Sequence, residues 1–106
     1  MSSYNSLSDS QVLEGVRALV LKNRVRFTDH AEDRMAERGF DRGQIKDCLR
    51  SGFFAEKPFI PNRNGPIEYK FNVQADIDGE TMQVVACLRP DENVLVITVI
   101  DPTNRK

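Results

Sequence analysis

The chain has 106 residues, with 15 Lys and Arg against 16 Asp and Glu, a formal net charge of −1, and hydrophobic and charged fractions of 40% and 29%. These values describe one small globular domain: too short for two cores, without the run of about 20 apolar residues that spans a bilayer, and not basic enough to coat nucleic acid indiscriminately. Cys48 and Cys87 are too few and too far apart for a disulfide scaffold or a zinc knuckle. The first six residues lack the basic start and apolar stretch of a secretory signal, so a cytoplasmic protein with neither metal nor other cofactor is expected.

The first helix opens at Ser8, which can cap it while Gln11 closes a capping box and Leu7 staples against Val12. Val12, Val16, Leu19 and Val20 recur at helical spacing, and Asn23 can take the left-handed conformation that ends the helix near Lys22-Asn23. Arg24-Val25-Arg26-Phe27-Thr28 alternates polar and apolar as a short strand does. Thr28 or Asp29 then caps a second helix, which runs through Ala31, Met35 and Ala36 and stops at Gly39. A third, capped by Asp41 with Gln44 three residues on, buries Ile45, Cys48 and Leu49 and ends at Gly52.

From Phe53 the period changes to two. Phe53 to Ile60 is a strand that Pro58 confines to a sheet edge, and Pro61 to Pro66 is a loop. Ile67, Tyr69, Phe71, Val73 and Ala75 alternate with Glu68, Lys70, Asn72 and Gln74, a strand with one buried face. Asp76-Ile77-Asp78-Gly79 reads as a hairpin turn, which also explains the acidic alternation of Asp76, Asp78 and Glu80 without a cation. Thr81 to Arg89 is the next strand, Pro90 to Asn93 a turn, and Val94 to Ile100, apolar on both faces, a strand at the sheet centre. The expected fold is α+β: N-terminal helices packed on a mostly antiparallel sheet of four or five strands, one domain over 7–101 with polar tails at 1–6 and 102–106.

Positive charge is concentrated in one stretch. Residues 22–70 hold 11 Lys and Arg against 8 Asp and Glu; the remainder holds 4 against 8. Within that stretch His30, Arg34 and Arg38 fall at i, i+4 and i+8 and line one edge of the second helix. One account of this stripe is a solvated face whose arginines pair with Glu32, Asp33 and Glu37, in exposed pairs worth about 0–1 kcal/mol. The other is phosphate chemistry. RNA cleavage without a metal needs a base for the 2′-hydroxyl, fixed cations for the phosphorane and an acid for the departing 5′-oxygen. His30, with an ordinary imidazole pKa of about 6.5, can move the proton. Arg34 and Arg38 match phosphate bidentately. Lys70 or Arg89 can close such a site from the polar face of the sheet, Tyr69 can hydrogen-bond or stack on a base, and Arg24 and Arg26 precede the helix on the short strand. Cys48 falls on the apolar stripe of its helix, where a thiol is inert.

The run His30-Ala31-Glu32-Asp33-Arg34-Met35-Ala36-Glu37-Arg38-Gly39 reads H-A-x-x-R-M-x-x-R-G. It follows a strand ending in Phe27-Thr28 and precedes a helix around Gln44-Ile45. This resembles the signature of an uncharacterised bacterial domain family grouped with RelE-like toxins. The order helix, strand, two helices and antiparallel strands resembles the MqsR branch, with Val25-Arg26-Phe27-Thr28 and Ile97-Thr98-Val99-Ile100 as matching strands; the likeness spans Leu7 to Ile100. It implies a RelE-like fold and a metal-independent endoribonuclease restrained by an antitoxin. His30, Arg34 and Arg38 match the motif, whereas Tyr69, Lys70 and Arg89 come from the strand pattern. Typical toxins of that group are strongly basic, and this chain is not.

The expectation is therefore a toxin-like endoribonuclease acting by 2′-hydroxyl attack, with His30, Arg34, Arg38 and Lys70 catalytic and Arg24, Arg26, Tyr69 and Arg89 holding substrate. Its partners would be RNA, with the ribosome as one setting for it, and a cognate antitoxin or other protein, but no membrane. The alternative is a non-catalytic module on the same fold that docks a protein partner, which the near-balanced charges of the second helix favour.

Overall fold

The structure, a computed structural model, describes residues 7–62 and 64–102. The tail expected at 1–6, residues 103–106 of the tail expected at 102–106, and Arg63 in the loop lie outside the described residues. Three helices and five strands follow one another as α1 (Asp9–Leu21), β1 (Val25–Phe27), α2 (Asp29–Arg38), α3 (Arg42–Ser51), β2 (Phe53–Phe59), β3 (Tyr69–Ile77), β4 (Glu80–Arg89) and β5 (Asn93–Ile100). No helix among the described residues is long and apolar enough to cross a membrane.

The helix boundaries follow from local chemistry. Ser8 Oγ accepts from the Gln11 amide while Gln11 Oε1 accepts from the Ser8 amide, a complete capping box, and Asp41 with Gln44 makes the same reciprocal pair on α3. Thr28 Oγ1 accepts from the Ala31 amide and caps α2. Gly39 closes that helix at φ 76, the left-handed conformation that glycine adopts without strain. Asn23 lies at φ 60 just beyond α1.

The sheet has the order β1-β5-β4-β3-β2. All pairings are antiparallel except β1 with β5, which is parallel over Val25–Phe27 and Val94–Val96. The hairpin from β3 to β4 is tighter than the four-residue turn expected. Ile77 already pairs with Glu80, leaving a two-residue turn of Asp78 (φ 54) and Gly79 (φ 85). Two positive φ values match the twist of the flanking strands in a type I′ turn. β3 correspondingly starts at Tyr69 and runs to Ile77.

One sheet face is covered. Successive cross-strand rows on that face are Val25, Val94, Leu88 and Tyr69; then Phe27, Val96, Ala86 and Phe71; then Val99, Val84, Val73 and Phe54. Most of these side chains are buried, and with Val12, Val16, Met35, Ile45 and Leu49 from the helices they form one core. α1 lies over β4 and β5 and beside α3, α3 lies over β3 and β4, and α2 packs chiefly on β5. Gly52, between α3 and β2, is required by close approach: a Cβ there would stand 2.7 Å from both Cys48 O and Gln74 O. The outer strand β2 carries Pro58, Lys57 and two register shifts, devices that discourage pairing with another chain.

Candidate functional site

Among the described residues the opposite face carries no helix, and its rows are of different chemistry. Arg26, Leu95, Cys87, Lys70 and Phe59 stand in line across all five strands, from β1 to β2. The next row is Thr98, Val85, Asn72 and Glu56, followed by Ile100, Gln83, Gln74 and Phe53. Within these rows Asn72 Nδ2 donates to Gln83 Oε1 at 3.1 Å and Gln83 Nε2 donates to Gln74 Oε1 at 2.8 Å. Asn72 is only 6% exposed, and its Oδ1 is enclosed with no hydrogen-bond partner among the described residues. A buried acceptor left unpaired costs about 1–3 kcal/mol, so it needs a reason. At the β2 edge Phe53 and Phe59 stay 60% and 51% exposed.

The structure assembles the sequence-predicted cations in two places. Arg26, Lys70 and Arg89 share the open face, where alternation put the latter two. Arg26 and Lys70 have no ion pair among the described residues, while Arg89 Nε donates to Glu68 Oε2 at 3.0 Å. That pair walls a hollow of about 490 Å³ with Pro66, Pro90 and Glu92. Cys87 lies between Lys70 and Leu95 in the first row; burial pushes its thiol pKa up and Glu68 adds to the rise, against the pull of Lys70 and Arg89.

The second place is α2. Its buried face is Ala31 and Met35. Successive helical residues turn by about 100°, so Glu32 and the His30, Arg34, Arg38 stripe occupy opposite flanks. Glu32 is ion-paired with Arg42 at the start of α3, and the Arg42 guanidinium stacks over the Phe27 ring at 5.0 Å. The stripe accordingly looks away from α3. His30 is exposed and has no hydrogen bond or ion pair among the described residues. Arg34 pairs with Glu37 at 2.8 Å, both side chains largely in solvent. Arg38 is half-buried, its Nε enclosed without a hydrogen-bond partner among the described residues. Lys70 is not brought to this stripe: it stands on the open face, whereas α2 packs on the covered face, and β3 is two strands away from β5, about 10 Å along the sheet, with the thickness of the sheet between them as well.

Two expected substrate contacts lie on neither surface. Tyr69 faces the core, 5% exposed, and its hydroxyl accepts from the Leu7 amide at 2.9 Å. It shares the phase of Phe71 and Val73, so the alternation that exposes Lys70 buries Tyr69. Arg24 turns to the helix side, where with Lys22 it rims a hollow of about 400 Å³ floored by Leu19 and Leu88. Sequence reasoning in turn passed over Phe53, Phe59 and Gln83. Asn72 and Gln74 were legible as the polar alternates of β3, but their enclosure was not.

Residues 27–101, well over half of the chain, match the family described as "Domain of unknown function (DUF4258)". The chain belongs to that family. The match takes in α2, α3 and β2 to β5, reaches only Phe27 of β1, and omits α1. No curated protein and no solved structure matches the chain.

Proposed function

We propose that this member of the DUF4258 family is a RelE-like endoribonuclease that cleaves RNA by attack of a 2′-hydroxyl on the adjacent phosphate, without a metal. The observation that carries this reading is the α2 stripe: an exposed, uncommitted imidazole one and two turns from two guanidiniums, on the flank turned away from α3. In the reaction the 2′-oxygen bonds to phosphorus as the bond to the 5′-oxygen breaks. His30 moves the proton at one of those oxygens and water moves it at the other, while Arg34 and Arg38 neutralise the phosphorane. Lys70, on the open face opposite α2, is too far to touch the scissile phosphate and acts as a cation for the RNA strand where it continues onto that face. RNA is the partner of this chemistry, and an antitoxin covering the stripe would restrain it.

The test is a single-turnover assay on end-labelled RNA with chelator present. His30→Ala is expected to slow cleavage about 10²- to 10⁴-fold, with the thermal midpoint essentially unmoved because the imidazole is exposed. The parent's products should end in a 2′,3′-cyclic phosphate. A parent that leaves RNA intact, or a His30→Ala variant that cuts as fast, overturns the reading. One observation favours a second reading, a non-catalytic module that docks a protein: Glu37 already occupies one of the two arginines. An inert parent that co-purifies with a stoichiometric protein partner would support it.

A further inference from the structure

The geometry points to the open face of the sheet as a platform for unpaired bases, with Phe53 and Phe59 as stacking surfaces and the Gln83 and Gln74 amides, braced by the buried Asn72, as the base-edge readers. This rests on RNA being the ligand and adds where, and in what form, it is held.

Four observations converge. First, the two exposed phenylalanines stand on this face and not on the core side; Phe54 between them turns inward and packs edge-on to Phe71, ring centroids 5.8 Å apart. Second, the rings are separate. Phe59 is in register with Lys70 and Phe53 with Gln74, four residues along β3 or about 13 Å. Such a gap suits two different bases, one per ring. Third, the polar groups beside the rings are amides, which carry both donors and acceptors and match the edges of bases. They are pre-oriented by their own hydrogen bonds, the buried Asn72 donating to Gln83 and Gln83 to Gln74. Fourth, charge is graded along the strands. Arg26 and Lys70 lie in the row that contains Phe59; of the acidic side chains, Glu68 is held by Arg89, Asp76 accepts from Thr81 near the far turn, and Glu56, in the Asn72 row between the two rings, repels phosphate from the amides. Phosphates therefore track the Arg26–Lys70 end and bases lie toward the amides.

A duplex has no free base face to offer, so this surface selects single strands. A protein partner is the lesser fit, since the β2 edge is blocked to strand addition by Pro58 and its register shifts.

The experiment is fluorescence anisotropy with a labelled 12-nucleotide single strand, as RNA and as its uncleavable 2′-deoxy analogue, and with the matching duplex, at fixed ionic strength. Phe53→Ala and Phe59→Ala should each weaken single-strand binding about 5- to 150-fold, leave duplex binding unchanged and keep the parent's thermal midpoint, since both rings are largely in solvent. Gln83→Ala should alter the preference among homopolymer strands more than the average affinity. The two readings fail separately. A parent that binds the deoxy strand but never cuts RNA keeps the platform and ends the nuclease. A parent that cuts RNA, with KM unchanged in the Phe53→Ala/Phe59→Ala double variant, keeps the nuclease and ends the platform. A dimer in sedimentation that Phe59→Ala dissolves would assign the face to a second copy and likewise overturn the platform.

Discussion

The two faces of the sheet are made by the same strands, yet they obey different rules. Toward the helices, β3, β4 and β5 present Phe71, Val73, Met82, Val84, Leu88, Val94 and Val96, all buried and all apolar. Away from them, residues one step out of phase present Lys70, Asn72, Gln74, Gln83, Arg89 and two exposed rings at the edge. A period of two lets one chain segment carry both sets. The covered face is where removal from water supplies stability. The open face includes a buried unpaired amide oxygen and exposed phenylalanines, features that folding alone does not require. Side chains on the first face should govern stability, and those on the second should govern binding.

The largest effect is expected at the covered face. Phe71 is almost fully buried and shares an aromatic contact with Phe54. Phe71→Ala removes a ring that the surrounding strands cannot collapse to fill, so a loss of about 3–5 kcal/mol is expected. It would show as a lower denaturant midpoint at unchanged m-value. A Phe71→Ala loss no greater than that of Phe53→Ala would erase the distinction between the faces.

The junction between the faces comes next. Gly52→Ala would drive a methyl group against two backbone carbonyls, Cys48 O and Gln74 O, neither of which can swing aside as a side chain would. The helix α3 and the strand β3 must then part, at a cost of about 1–3 kcal/mol. Because Gln74 carries its amide on the open face, this variant should also loosen the amide ladder. Urea melts joined to strand-binding titrations test that coupling: a variant destabilised to that extent that binds single strands as the parent does would show the two faces to be mechanically independent.

Much of this was legible in the sequence where the determinants are local. Ser8 with Gln11, Asp41 with Gln44, and Gly39 each specify a helix end through contacts within a few residues, and Pro58 places its strand at an edge. Alternation put Lys70 and Arg89 on one face correctly. It also put Tyr69 with Phe71, though its hydroxyl invited a functional role; the half-buried partner of that hydroxyl, the Leu7 amide, is 62 positions away. Distance in the chain explains the other differences. The parallel pairing of β1 with β5 joins residues some seventy positions apart, and no local pattern announces it. The separation of the His30 stripe from Lys70 depends on how α2 docks on β5, a matter of packing and not of spacing along the helix. The turn is shorter than the Asp76–Gly79 expectation because Asp76 and Ile77 still pair across the hairpin, and a type I′ turn needs only Asp78 and Gly79.

The smallest expected effect separates the faces by their cysteines. Cys48 is fully enclosed beneath α3, and burial pushes its thiol pKa from 9.0 up to about 12, a backbone hydrogen bond at Ala75 pulling slightly the other way. Cys87 on the open face is raised too, but Lys70 and Arg89 oppose the rise. A thiol whose folded pKa lies above its unfolded value holds its proton longer in the native state. Its contribution is intact below about pH 9 and is lost as the pH climbs toward 12, because the unfolded chain ionises first. For Cys48 the loss should be on the order of 1 kcal/mol by pH 10. Stability measured by chemical denaturation from pH 7 to 10 should therefore fall less steeply in Cys48→Ala than in the parent, with Cys87→Ala between the two. Equal slopes for both variants would mean that the two thiols lie in equivalent surroundings, and that the open face is as dry as the core.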